Sequence, residues 1–190
     1  MRVSRQKAAE NRERIIDGAG ALFREKGFDG IGVADIMKAA QLTHGGFYGH
    51  FASKDDLVVQ ASQRAMARAA MSWTNVTAGA NPYAALLEHY LSPRHRDDPG
   101  HGCAFAALSG EAARCGKPVR SAFGSGLEAL IEIIAKAVPG RSKSGRRRKA
   151  VAAAAELVGA LMLARAVDDP ALSNEILDAA KQELLAAANR

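Results

Sequence analysis

Apolar positions recur at helical spacing along most of this 190-residue chain. Ile15, Ile16, Ala19, Leu22 and Phe23 share one face, with Arg12, Glu13, Arg24 and Glu25 on others. This predicts a first helix from about Lys7 to Lys26, ended by Gly27. Val33, Ile36, Met37 and Ala40 repeat the spacing over a shorter span, predicting a second helix. Thr43 then offers a cap for a third, short helix carrying Phe47, and Phe51 closes the group. Ser53, followed by Lys54, Asp55 and Asp56, reads as the N-cap of a long helix through Met66, Met71 and Trp73.

Beyond that helix, Thr77 to Pro82 breaks the pattern, Pro82 to Leu91 reads as a helix, and Ser92 to Gly102 reads as a polar loop with two prolines. Further helices are predicted over Cys103–Ala113, Lys117–Val138, Ala150–Val167 and Ala171–Ala188, the second of these weakened by Gly124 and Gly126. Apolar residues make up 48% of the chain, enough for a core, while aromatics are only 5%, so the composition reinforces an all-α fold. The longest apolar run, Ala150 to Val167, is broken by Glu156 and Arg165 and predicts a bundle helix, with no membrane partner.

Charge changes the picture less than its total suggests. The formal charge is +6, but residues 141–149 alone carry six Lys and Arg and no acid, which reads as a solvated, mobile connection. With only Cys103 and Cys115, and no charged stretch followed by an apolar one at the start, the expected setting is reducing and cytoplasmic, without a structural disulfide.

The stretch from Leu42 to Leu57 raises a chemical question. Gly45, Gly46 and Gly49 occupy a short helix, where each glycine costs about 0.5–1 kcal/mol relative to alanine. A helix laid in the major groove must bring its backbone close to phosphates and base edges, and bare glycines permit that approach. The arrangement of helix, tight turn and short helix suits DNA reading, with Thr43, His44 and Tyr48 protruding, although plain bundles contain it too.

The segment Gly32 to Leu57 resembles the DNA-binding signature of TetR-type transcriptional regulators. The resemblance covers the first quarter to third of the chain and implies a three-helix helix-turn-helix domain, residues 1–55. The remainder, 56–190, has the length and helix order of the family's multi-helix effector-binding and dimerisation domain. It implies a homodimeric repressor that leaves its operator DNA when a small-molecule effector binds, without enzymatic activity or cofactor. Carried over by position, Val33 to Ala40 is the first helix of the motif and Thr43 to Gly49 the recognition helix. Thr43, His44, Gly45, Gly46, Tyr48 and Lys54 become the expected DNA-binding residues, Tyr48 and Lys54 as phosphate contacts. Arg2, Arg5 and Lys7 are candidates for a basic arm, with a solvated terminus as the default. Two positions depart from the pattern: Gly32 stands where Ser or Thr commonly caps, and Gln41 where the turn usually has glycine.

In the second domain, Trp73, Tyr90, Cys103, Phe105 and Phe123 are candidates to line a ligand pocket, each with ordinary core as its alternative. Cys103 follows a loop at a predicted helix start, where a lowered thiol pKa would suit a sensor; a small buried hydrophobe is the competing reading. The spacing of His95, His101, Cys103 and Cys115 matches no compact zinc pattern. An enzyme using Cys103 with His89 or His101 lacks an orienting third group, and a helical interaction module would leave the glycine and Tyr48 surface unexplained. Ala153, Gly159 and Ala160 suit close packing of the last two helices against a second subunit, with burial inside one subunit as the alternative.

Overall fold

The computed structural model describes residues 5–188, and every regular element among them is helical. Arg2 of the candidate basic arm lies outside the described residues. The helices are α1 (Arg5–Lys26), α2 (Val33–Ala39), α3 (Lys54–Val76), α4 (Pro82–Tyr90), α5 (Pro93–Asp97), α6 (Ala104–Ala112), α7 (Lys117–Ala137), α8 (Lys143–Ala166) and α9 (Pro170–Ala188). Two 3₁₀ turns, His44–Gly49 and Pro99–His101, complete the chain.

α1 buries Ile15, Ile16, Ala19 and Phe23, the face its periodicity marks. It ends at Gly27, whose φ of 80° is the left-handed conformation that glycine adopts without a Cβ penalty. Phe28 then packs edge-on against Phe23, with centroids 5.5 Å apart. Ser53 caps α3 as expected: its Oγ accepts the Asp56 N–H at 3.1 Å, while an Asp56 carboxylate oxygen accepts the Ala52 N–H at 3.1 Å.

α3 runs from the N-terminal group into the body without a break and packs on both α1 and α7. Toward α1, Arg64 pairs with Glu13 and Asp17, Arg68 reaches Asp17 at 2.7 Å, and Arg12 bonds Gln60. Toward α7, a Cβ on Gly126 would lie 2.9 Å from Met66 Cγ, so that glycine lets the two helices approach closely. Gly124, by contrast, faces open space.

Two segments differ from the sequence reading. Residues 93–97 and 99–101, expected as loop, are short helical turns because Ser92 and Asp98 each cap a turn that begins with proline. Residues 143–149, expected as a mobile connection, are the first turns of α8. There Ser142 Oγ accepts the Gly145 N–H at 3.0 Å, Arg147 reaches Glu128 of α7 at 2.9 Å, and Lys149 Nζ lies 3.4 Å from the Ala187 and Ala188 carbonyls ending α9. These partners offset the unfavourable placement of cations at a helix start.

α8 and α9 pack side by side. Ala153 and Ala160 are buried within the subunit, the alternative to facing a second copy, while Gly159 is half-buried with open space at its Cβ position. The large apolar residues exposed on the pair are instead Val151, Met162, Leu163 and Leu172. No helix among the described residues is long and apolar enough to cross a membrane.

Candidate nucleic-acid interface and effector site

The turn between α2 and the recognition segment passes through Gln41, whose φ of 58° is left-handed and rare for a side chain with a Cβ. The Leu42 N–H then returns to the Met37 carbonyl at 2.8 Å. The recognition segment itself is 3₁₀ rather than α, and Thr43 occupies its N-cap position without a side-chain cap bond. The segment is anchored by one residue: Phe47 is 0% exposed and stacks 5.5 Å from Phe51. Arg12 lies over the Phe51 ring at 5.1 Å, tying α1 to the same cluster.

Around that anchor the surface is open. Tyr48 is 70% exposed, and Thr43, His44, Gly45 and Gly49 are also exposed, with Gly46 and Lys54 half-buried. A Cβ at Gly45 or Gly49 would meet no atom within 4 Å, and neither residue has a left-handed φ. Nothing inside the protein therefore requires glycine at either position. Arg5 and Lys7 lie in the first turns of α1, with Lys7 3.3 Å from Glu10.

In the body, the five pocket candidates are all buried but do not line one cavity. Trp73 and Cys103 border a cavity of about 400 Å³ between α1, α3 and the segment from His89 to Cys103. Tyr90 lies behind them, its ring 6.1 Å from Trp73, while Phe105 and Phe123 pack edge to face at 5.7 Å away from that lining.

Cys103 is the N-cap of α6 and 1% exposed. Burial pushes its thiol pKa up, against the pull of the Tyr90 hydroxyl and the Ala106 and Phe105 backbone, so the lowered pKa expected of a helix start is not realised. The histidine beside it is His95, not His89 or His101. His95 Nδ1 lies 2.7 Å from the Tyr90 carbonyl and its Nε2 accepts the Cys103 N–H at 3.0 Å. That pair of bonds selects the neutral ring with its proton on Nδ1, and burial lowers the His95 pKa to about 4. Arg165 of α8 locks the segment in place, donating to the His95 carbonyl at 2.7 Å and the Arg96 carbonyl at 3.0 Å.

Two residues that sequence reasoning missed join the body to α1. Arg24 donates Nε to the Gly100 carbonyl at 2.9 Å, and Glu111 of α6 accepts the Phe28 N–H at 2.6 Å. Their partners lie 76 and 83 positions away in sequence, so no local pattern marks them.

A helix-turn-helix head whose outer segment 43–49 is anchored by Phe47 and otherwise bare, mounted on an all-helical body, is the architecture of a DNA-binding protein of the helix-turn-helix class. The family described as "Bacterial regulatory proteins, tetR family" matches residues 15–61. The HTH-type transcriptional regulator AcrR of Shigella flexneri is 41% identical over 56 residues, which are 30% of this chain and only 26% of that protein's length. The HTH-type transcriptional repressor NemR of Escherichia coli K12 is 25% identical over 134 residues, 68% of this chain and 67% of that one. The crystal structure of a TetR transcriptional regulator from Chloroflexus aurantiacus superposes with a TM-score of 0.81 at 25% identity, covering 97% of each chain. Residues 15–61 thus carry the DNA-binding domain of the tetR family, and the chain has the fold of a TetR transcriptional regulator.

Proposed function

We propose that the chain is a homodimeric repressor whose recognition segment, residues 43–49, enters the major groove of operator DNA and is withdrawn when a small-molecule effector binds the body. The observation that carries this reading is the contrast at the recognition segment: Phe47 is fully buried, while Tyr48 and the open-space glycines Gly45 and Gly49 surround it. Thr43 and His44 point the segment's hydrogen-bonding groups outward, and Tyr48 and Lys54 are the phosphate contacts. The exposed apolar residues Val151, Met162, Leu163 and Leu172 of α8 and α9 supply the dimer surface. Release by a small molecule is favoured over release by thiol modification, because Cys103 is buried and its pKa raised.

The test is fluorescence anisotropy of the purified chain with DNA from immediately upstream of its own coding region, titrated against salt and competitor DNA. Saturable binding that survives excess competitor is expected. Weak binding abolished by competitor would overturn the reading and leave a basic helical interaction module.

A further inference from the structure

The cavity between α1, α3 and the segment from His89 to Cys103 carries an unbalanced charge. Its lining includes Arg24, Arg64, Arg68 and Arg94 against two carboxylates, Asp17 and Asp98. Both carboxylates are already engaged: Asp17 by Arg64 at 3.2 Å and Arg68 at 2.7 Å, and Asp98 by His101 at 3.0 Å. Arg24 and Arg94 make no ion pair among the described residues, and Glu25 and Asp98 act on Arg24 only from beyond ion-pair distance.

Arg24 spends Nε and Nη2 on a neutral acceptor, the Gly100 carbonyl. Its Nη1 makes no hydrogen bond among the described residues and lies 3.5 Å from where a Cβ on Gly20, another lining residue, would stand. Burial pushes the Arg24 pKa down, against the pull of Glu25 and Asp98. Arg94, exposed at the rim, makes no hydrogen bond or ion pair among the described residues. The lining also includes the apolar side chains of Ile16, Ala61, Ala65 and Trp73. A volume of about 400 Å³ is within the range of small-molecule sites.

We infer that this cavity binds a small organic acid, its carboxylate between Arg24 and Arg94 and its apolar body against Trp73. The inference rests on the ligand-responsive regulator proposed above and names the chemistry of its effector. Guanidinium and carboxylate form charge-assisted, geometrically selective pairs, and a water-excluding wall strengthens them. A carboxylate on Arg24 Nη1 would share its guanidinium with the Gly100 carbonyl, so ligand binding is coupled to a contact that joins the body to α1.

Isothermal titration calorimetry of the full chain with benzoate, and with benzamide as its neutral counterpart, tests the inference without DNA. Benzoate is expected to bind and benzamide to bind roughly tenfold more weakly. Arg94→Gln, at an exposed position that leaves the fold intact, should weaken benzoate roughly tenfold and leave benzamide unchanged. Arg148→Gln, on the exposed start of α8, should match the wild type. No benzoate binding up to about 10 mM, equal affinities for the two probes, or an equal loss in Arg148→Gln would each overturn the site. Operator anisotropy on the same samples separates the two readings. DNA binding without benzoate heat removes only the anion site, whereas benzoate heat without DNA binding removes the regulator reading and keeps the site.

Discussion

Glu111 Oε2 accepts the backbone N–H of Phe28 at 2.6 Å, so a side chain of α6 satisfies the backbone just past the end of α1. The same carboxylate crowds the glycine before it: a Cβ on Gly27 would lie 2.5 Å from Glu111 Oε1. Head and body therefore meet at a point where a charged acceptor, a left-handed glycine and a helix terminus coincide. Glu111→Ala removes the acceptor and is expected to lower unfolding stability by about 1–3 kcal/mol, read from the urea midpoint, with faster amide exchange at Phe28. An unchanged midpoint together with unchanged exchange would show that the contact does not hold the junction.

The recognition segment offers a separation of stability from function. Gly45→Ala and Gly49→Ala meet no atom of the protein, so each should leave stability equal or raise it by up to about 1 kcal/mol. Both should weaken operator binding, because in the proposed mode of binding the added methyl stands where the DNA backbone approaches. Tyr48→Ala should weaken binding to every sequence and reduce the salt slope by about 1. Stabilised variants that keep full DNA affinity would remove the close-approach explanation for these glycines.

Gln41 holds a left-handed φ of 58° that a Cβ disfavours. Gln41→Gly relieves this and is expected to raise stability by about 1 kcal/mol, measured as a higher thermal midpoint. A lower midpoint would mean that the glutamine side chain contributes more than the backbone conformation costs.

His95 ties stability to pH. Its folded-state pKa lies near 4, depressed by burial from the 6.5 of a free imidazole, so between those values the unfolded chain binds a proton that the folded chain refuses. The stabilisation is complete above the unfolded pKa and is lost as pH falls through that window, with a total of about 3 kcal/mol. Urea midpoints measured across the window should fall with acidity in the wild type and fall less in His95→Gln. Parallel profiles for the two proteins would assign the acid sensitivity to other groups.

Leu163 is 59% exposed on α8 and belongs to the surface proposed to pair two copies. Leu163→Glu places a charge there, which should convert a dimer to monomers by sedimentation while leaving the helical spectrum intact. A variant that remains dimeric would move the interface elsewhere.

The sequence by itself determined the all-α class, the order of the main helices, the Ser53 cap and the short helical segment after Thr43. Each depends on spacing and capping within a few residues, which helical periodicity writes directly into the chain. The resemblance to the family also marked Gln41 as standing where the turn usually has glycine, and the structure gives it a left-handed φ. Tertiary contacts decided the rest. They show that Gly126 admits Met66 of α3, while Gly45 and Gly49 admit nothing from the protein. They bury Cys103 against Tyr90 and His95, draw residues 143–149 into a helix through Glu128 and the end of α9, and gather Arg24 and Arg94 at one cavity. These outcomes turn on partners that are distant along the chain and adjacent only after packing. The charge balance of the cavity, like the link between Glu111 and Phe28, exists only once α1, α3 and α6 have come together.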